Sequence, residues 1–193
     1  MIYFISAQKR LFETEEIQEG TIEQCINYCK KLEFIGIDTE TTGFNPHNDR
    51  VLLLQLGDFS NQFVIDSSID FKLFKELLET KPIIGQNLKF DLRFLYSLNI
   101  WPNKVYDTYL AEVKLTQGII DIKRNLQILN EKYVGTSDVD KSLRGLIHRG
   151  ITDVVIKYAS NDVKPLHIIK KKQLEKAQEL QLVKAIEIGR AHV

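Results

Sequence analysis

The stretch IGIDTETTGF, residues 35–44, is an apolar run that ends abruptly in two acidic residues, Asp38 and Glu40. Alternate residues of a β-strand point to the same face, so a strand here would present both carboxylates together at its end. Two like charges held this close repel each other, and burying either one is costly unless a partner compensates for it. The obvious partner is a cation. The plainer interpretation, which the pair alone would favour, is a strand followed by an acidic loop.

The bulk properties of the chain restrict its class. Its 193 residues correspond to about one domain. The 26 basic residues balance the 26 acidic ones, so only a local basic face could supply affinity for nucleic acid phosphates. No apolar run approaches the roughly 20 residues of a membrane span, and the N-terminus becomes polar too early for a secretory signal. We expect a cytoplasmic protein with no membrane partner.

The two cysteines, Cys25 and Cys29, lie four residues apart in a segment with helical spacing. Two thiolates make half of a structural zinc site, and no histidine lies near enough in sequence to complete it. A disulfide between residues i and i+4 of a helix has poor geometry. We therefore predict two small buried side chains.

The flanking sequence predicts strands early and helices late. The predicted strands cover residues 1–6, 34–40, 50–58, 61–67 and 82–87, the third and fourth joined as a hairpin. The predicted helices cover residues 21–32, 71–80, 88–99, 105–115, 122–135 and 151–187, the last with a kink at Pro165. This order, with at least one β-α-β unit, predicts an α/β fold in which helices cover a mixed sheet.

Two further carboxylates lie on predicted helices, each one turn after another polar residue. Asp91, in GQNLKFDLRFL, falls on the polar side of a predicted helix, with Asn87 one turn earlier on the same side. Asp162, in YASND, lies on the late helix with Tyr158 one turn before it. The apolar residues of the first helix are expected to face the core: Leu88, Phe90 and Leu95.

If both helices pack near the end of the first strand, four carboxylates converge: Asp38, Glu40, Asp91 and Asp162. Such a cluster without cations would be strongly destabilising, whereas two divalent ions such as Mg²⁺ or Mn²⁺ would make it a stable site. Two ions about 4 Å apart can stabilise both the attacking and the leaving oxygen in phosphodiester cleavage. Spacing alone is weak evidence, because Asn-x-x-x-Asp occurs three times in this chain. The evidence for a metal site is strengthened by the order of the three motifs and by the strand or helix on which each one lies.

Three segments resemble motifs I, II and III of the DEDDy 3′–5′ exonucleases: IDTETTG, GQNLKFD and YASND. VYDTYLAEVKL and VDKSLRG resemble the helix after motif II and the segment before motif III, so the resemblance covers most of the chain. Within that group the chain looks most like the proofreading domain of family A DNA polymerases, with ribonuclease D as the nearest relative. The resemblance implies a ribonuclease H-like fold, a five-stranded mixed sheet with helices on both sides.

The resemblance also implies roles for individual residues. Asp38, Glu40 and Asp162 would ligate the metal ion that binds the attacking water. Asp38 would bridge to a second ion at the leaving 3′ oxygen, which Asp91 would hold through water. Tyr158 would orient the attacking water. Because a phenol has an ordinary pKa of about 10, acidification of that water by the metal must dominate at neutral pH.

The substrate-binding residues follow in the same way. Asn87 would contact the phosphodiester at the scissile end, and Thr41 and Thr42 would line the pocket for the terminal nucleotide. Four basic residues flank motif II and the segment before motif III and are candidates for steering the strand: Lys89, Arg93, Lys141 and Arg144.

Several of these residues also have ordinary structural interpretations. Asp91 alone would more often be a solvated helix residue, and Tyr158 a half-buried packing residue. Asp107 is expected to be a helix cap or a surface group near the site. Phe44 and Tyr96 could stack on bases, although core packing is favoured for both.

Taken together, the sequence predicts a metal-dependent 3′–5′ exonuclease that releases nucleoside monophosphates from a single-stranded DNA 3′ end. The alternatives are a ribonuclease D-like enzyme that trims RNA and a non-catalytic binding module of a replication complex, against which the complete carboxylate set argues. We expect one domain over residues 1–187 and a non-native tail, IGRAHV, over residues 188–193. A polymerase domain, fused or separate, is a possible partner.

Overall fold

The computed structural model describes residues 1–8, 15–136, 147 and 150–186. Within them a seven-stranded mixed sheet has the strand order β2-β1-β5-β4-β3-β6-β7. The strands are β1 (Ile2–Ile5), β2 (Ile17–Glu19), β3 (Ile35–Thr41), β4 (Val51–Gly57), β5 (Gln62–Asp66), β6 (Ile83–Gly85) and β7 (Val105–Asp107). β4 runs antiparallel to both of its neighbours, β3 and β5, and every other pair in the sheet is parallel.

Helices cover both faces of this sheet. They are α1 (Ile22–Cys29), α2 (Lys75–Thr80), α3 (Lys89–Ser97), α4 (Thr108–Leu115), α5 (Leu126–Tyr133), α6 (Asp153–Val163), α7 (Leu166–Glu179) and α8 (Val183–Ile186). Helices α1, α2 and α3 enclose one apolar core with β3 and β4. Helix α6 covers the other face of β4 and β5, and helices α4, α7 and α8 cover that face beside β6 and β7. The predicted α/β class and ribonuclease H-like layering are confirmed.

The sheet has seven strands, so the expected count of five was too low. The two strands that the sequence did not indicate, β2 and β7, are three residues each. A segment this short shows almost no alternation of apolar and polar residues. The sequence of β7 also runs directly into α4, which is why residues 105–115 resemble one continuous helix.

The long helix predicted over residues 151–187 is divided into α6, α7 and α8. Pro165 lies at the first break, where it has no N–H to continue the helical ladder. Gln181 lies at the second break with φ 57, which ends α7.

Other local predictions are confirmed. The hairpin joins β4 and β5 through a turn in which Gly57 has φ 145. Thr21 caps α1 by accepting a hydrogen bond from the Gln24 N–H, and Cys25 and Cys29 are both buried on that helix.

No helix in the described part of the chain is long and apolar enough to cross a membrane. Lys141, Arg144 and the predicted tail 188–193 lie outside the described residues.

Candidate active site

Strand β3 presents Asp38 and Glu40 on the face of the sheet that α6 covers. The helix approaches this strand closely because Gly36 has no side chain. A Cβ atom there would lie 2.7 Å from the Gly57 carbonyl oxygen and 3.3 Å from the Val163 carbonyl oxygen. The close approach places the last turn of α6, which carries Asp162, beside the end of β3.

Three carboxylates meet at this point. Oxygens of Asp38, Glu40 and Asp162 all lie within 4.8 Å of one another. Glu40 is 7% exposed and Asp162 is 8% exposed, so this is a largely desolvated cluster of like charges. A set of carboxylate oxygens alone suits hard cations such as Mg²⁺, which makes the cluster a candidate metal site.

Asp91 belongs to the same cleft but reaches it from the opposite face of the sheet. It lies on α3, and its carboxylate accepts a 2.6 Å hydrogen bond from the Thr39 hydroxyl, which points away from the face of Asp38. Asp91 is 3% exposed, so its placement on the polar side of the helix was wrong, as was the alternative of a solvated residue. The structure thus groups three of the four predicted carboxylates closely, with the fourth behind them.

Burial raises the pKa of Asp91 to about 7. The negative charge of Asp107 acts in the same direction, while the hydrogen bond from Thr39 opposes it. Without a compensating charge, this carboxylate is therefore partly protonated at neutral pH.

The turn between β6 and α3 carries Asn87 and is held by Asp107. The carboxylate of Asp107 accepts hydrogen bonds of 2.9 Å from the N–H groups of Asn87, Leu88 and Tyr109. Asp107 caps α4, as one of its two interpretations predicted, and it is buried rather than at the surface. Asn87 has φ 59 and precedes α3, so the prediction that it lies one helical turn before Asp91 was wrong.

A cleft of about 340 Å³ opens over the end of β3. Its lining residues are Asp38, Thr39, Glu40, Thr41, Thr42, Gly43, Phe44, Gln86, Asn87, Phe90, Asp91 and Ile147. The predicted substrate residues Thr41, Thr42 and Asn87 are all among them. Gln86 was not predicted, because nothing in its spacing separates it from a loop residue.

The loop that follows β3 is braced from within. The Thr41 hydroxyl donates to the Gly43 carbonyl at 2.6 Å, and the Thr42 hydroxyl donates to Asp49 at 3.1 Å. Asp49 also accepts from the Asn45 N–H at 2.9 Å. These bonds fix the backbone that forms one wall of the cleft.

The two aromatic candidates differ in their surroundings. Phe44 is 84% exposed at the cleft and meets Phe90 edge-on at a centroid distance of 6.2 Å, so the favoured core packing was wrong for it. Tyr96 is half-buried and stacks on Trp101 at 4.4 Å, away from the residues that line the cleft.

Four other predicted residues are not among those that line the cleft: Lys89, Arg93, Tyr158 and Asp162, the last of which belongs to the carboxylate cluster beside it. Tyr158 is buried in an apolar cluster with Leu53 and Val64, one turn before Asp162. Lys89 and Arg93 are exposed on α3, on either side of Asp91 in sequence.

The chain matches a known protein family and resembles proteins of known function in sequence. Residues 15–178 match the family model for the 3′–5′ exonuclease of the DNA polymerase A type. DNA polymerase I of Aquifex aeolicus is 32% identical over 183 residues, which are 92% of this chain and 30% of that protein. The chain therefore spans less than a third of this relative.

Solved structures agree with this placement at the level of the fold. NrnC of Brucella melitensis superposes with a TM-score of 0.74 at 23% identity, covering 96% of this chain and 86% of that one. Structures of NrnC with bound Mg²⁺ and with pGG are similar to this chain as well. Ribonuclease D of Escherichia coli superposes with a TM-score of 0.69 at 21% identity, covering 86% of this chain and 46% of that one. By the match to the family model, this chain belongs to the 3′–5′ exonuclease family of the DNA polymerase A type.

Proposed function

We propose that this exonuclease hydrolyses the terminal phosphodiester at the 3′ end of single-stranded DNA and releases nucleoside monophosphates, as a proofreading domain does. The observation that carries the proposal is the cluster of Asp38, Glu40 and Asp162, whose oxygens lie within 4.8 Å of one another at the end of β3. The similarity to a DNA polymerase I supports DNA as the substrate.

The carboxylates are proposed to hold two divalent ions, Mg²⁺ or Mn²⁺. Asp38, Glu40 and Asp162 would bind the first, and Asp38 would also contact the second, with Asp91 acting on it through water. Such ions lower the pKa of a bound water and neutralise charge on the phosphodiester. Tyr158, one turn before Asp162, would orient the attacking water.

The surroundings of Asp91 support a cation in the cleft. Its pKa of about 7 reflects burial beside another carboxylate, and a nearby positive charge would favour the ionised form. A buried acid that is costly without a cation and stable with one fits a metal-binding role.

The cleft also fits the end of a nucleic acid strand. Phe44 offers an exposed aromatic ring on which a base can stack, independent of base identity. Asn87, Thr41 and Thr42 supply polar groups for the terminal nucleotide and its phosphate. Lys89 and Arg93, exposed on α3, would steer the negatively charged strand toward the cleft.

The second candidate is trimming of RNA 3′ ends. The structural similarity to ribonuclease D and to NrnC with pGG favours testing it. A third possibility, a non-catalytic binding module, is disfavoured because all four carboxylates and Tyr158 are present. A polymerase domain remains the proposed partner, because the matched relative is a much longer DNA polymerase I.

The test compares 5′-labelled single-stranded DNA and RNA of equal sequence in Mg²⁺, Mn²⁺ or EDTA. We expect a metal-dependent ladder that shortens DNA from its 3′ end. Asp38→Asn should lower the rate of cleavage by roughly 1000-fold, since a bound metal ion stabilises the transition state by several kcal/mol. Glu76→Gln, at an exposed position on α2, is the control and should behave like the wild type.

Each other outcome has its own meaning. A ladder on RNA alone would replace the DNA proposal with the RNA-trimming candidate. Folded protein that cleaves neither substrate with metal supplied would overturn the catalytic proposal for this chain.

A further inference from the structure

Gln55 is a polar side chain in the middle of the sheet that the proposed mechanism does not use. It lies on β4 with 0% of its surface exposed. Neither its side-chain nitrogen nor its side-chain oxygen makes a hydrogen bond with any residue in the described part of the chain. Buried polar groups are nearly always hydrogen-bonded, and leaving one unsatisfied is destabilising. Such a residue calls for a functional explanation.

The position of Gln55 in the sheet connects it to the carboxylate cluster. It pairs directly with Asp38 across the antiparallel ladder of β3 and β4. Directly opposed residues project to the same face with Cβ atoms about 4.5–5.5 Å apart. On its other side Gln55 pairs with Val64, which offers no polar group. The side chain of Gln55 therefore projects from the position opposite Asp38 to the same face of the sheet, the face that α6 covers.

The chemistry of an amide suits this place. A carboxylate that ligates a metal is usually oriented by a hydrogen bond from a neighbouring group. A lysine there would repel the cation, and an acid would add a further like charge to the cluster, whereas an amide donates a hydrogen bond and carries no charge. The terminal torsion of glutamine is soft, so the amide can turn toward a carboxylate oxygen at little cost.

We propose that Gln55 is a positioning residue for Asp38, with its Nε2 donating a hydrogen bond to a carboxylate oxygen of Asp38 when the site holds its metal ions. The inference rests on the proposed metal-dependent function. On this proposal, the buried Gln55 amide lacks a hydrogen bond and is destabilising in the metal-free protein, and it gains its hydrogen bond in the metal-bound protein. Gln55 thereby couples metal binding to the stability of the sheet.

The test replaces the amide with a side chain of similar size that cannot donate a hydrogen bond, Gln55→Met. Thermal unfolding is followed during titration with Mg²⁺ or Mn²⁺, without substrate. We expect the Tm of the metal-free variant to rise by a few degrees, because an unsatisfied polar group has been removed. The metal concentration that gives the half-maximal rise in Tm should increase by about 10- to 100-fold.

Two further variants make the result decisive. Leu54→Met changes the residue of β4 just before Gln55, which lies in the core on the opposite face of the sheet. It should leave unchanged the metal concentration that gives the half-maximal rise in Tm. Gln55→Leu repeats the test in case the methionine variant does not fold. A lower metal-free Tm with an unchanged metal midpoint would show that Gln55 is only a packing residue. If the wild type itself shows no metal-dependent rise in Tm, the proposed metal site fails, and the inference fails with it.

Discussion

At the scale of single residues, the site consists of carboxylates whose environments differ. Asp38, Glu40 and Asp162 share the α6 face of the sheet and lie within 4.8 Å of one another. Asp91 approaches from the other face and is held by Thr39 at 2.6 Å. Since Thr39 lies between Asp38 and Glu40 in the strand, one short segment directs side chains toward both helical layers.

The buried state of Asp91 predicts a dependence of stability on pH. Its pKa is raised by burial from 3.8 to about 7 in the folded protein. Between these values the folded protein holds a proton that the unfolded chain has released, so the metal-free protein should lose stability as pH rises from about 4 to about 7. At 1.36 kcal/mol per pKa unit, the loss is on the order of 4 kcal/mol.

Asp91→Asn is the variant that checks this. It keeps an oxygen to accept the hydrogen bond from Thr39 but cannot ionise, so the metal-free variant should be more stable than the wild type at pH 8 and similar to it at pH 4. Urea unfolding at both pH values in EDTA measures the difference. Equal pH profiles for the two proteins would show that Asp91 has an ordinary pKa.

Asp107 supports the turn that carries Asn87. In Asp107→Asn an NH₂ group replaces one of the two oxygens that accept backbone N–H groups, so we expect a loss of about 1–3 kcal/mol in the free energy of unfolding. Exonuclease activity of the folded fraction should also fall, by about 10- to 100-fold. Asp70→Asn is the matched control, because Asp70 accepts a hydrogen bond from the Lys72 N–H at the start of the short 3-10 helix Phe71–Phe74, which does not line the cleft. Equal activity of the two variants would argue against a positioning role for Asp107.

Phe44 should contribute to the binding of the strand rather than to the chemical step. Loss of a base–aromatic stack costs about 1–3 kcal/mol, so Phe44→Ala should raise KM for an oligonucleotide by roughly 5- to 100-fold while kcat changes little. Phe59→Ala removes another exposed ring, one that does not line the cleft, and serves as the comparison. The same KM for both variants would contradict stacking at Phe44.

At the scale of elements, the site depends on how closely α6 packs on β3. Gly36 allows this approach, and the pairing of β3 with β4 shifts register between Glu40 and Thr41, where β4 has one extra residue, Leu52. A bulge of this kind redirects a strand end and is common next to active sites. The strand therefore ends its regular pairing where the cleft begins.

A methyl group at Gly36 should separate the strand from the helix. Gly36→Ala places a Cβ within 2.7 Å of the Gly57 carbonyl oxygen, so we expect a loss of about 1–3 kcal/mol in the free energy of unfolding. Activity should fall further than stability explains, because Asp162 moves with α6. Gly20→Ala creates similar crowding against Tyr3, at 2.9 Å, on the far edge of the sheet. If the activity per folded molecule of Gly20→Ala falls as much as that of Gly36→Ala, displacement of Asp162 is not the cause of the lost activity.

At the scale of the whole molecule, one sheet separates two helical layers, and both layers contribute to one cleft. The chain matches only 30% of its polymerase relative, yet each face of its sheet has its own apolar core. This layering is what a domain that folds independently requires.

Removal of the six residues 188–193 tests the proposal that they form a non-native tail, and we expect it to leave the domain unchanged. The truncated chain keeps Ile186, which is buried against α4 and α7. We expect the Tm of the truncated and full chains to agree within about 2 °C, less than the shift that 1 kcal/mol would cause. Equal rates of DNA cleavage are expected in parallel. A clear drop in either quantity would assign residues 188–193 to the domain.

The sequence alone determined the strand β3, the hairpin of β4 and β5, the layered α/β class and the candidate acids Asp38, Glu40 and Asp162. Period-2 apolar runs and ordered motifs are local properties, so they can be recognised without the fold. The short strand β7 and the turn at Asn87 that precedes α3 were misjudged, since three residues give no periodicity and a backbone with φ 59 has no sequence pattern of its own.

Only the tertiary structure decided which groups are buried together. It placed Asp91 behind the sheet on Thr39, exposed Phe44 at the cleft, and set Gln55 opposite Asp38 with no hydrogen bond among the described residues. Burial and pairing depend on contacts between segments distant in sequence, and these contacts set the pKa of Asp91 and the cost of the Gln55 amide. The sequence therefore supplied the chemical groups, and the packing of two helical layers on one sheet supplied their environments.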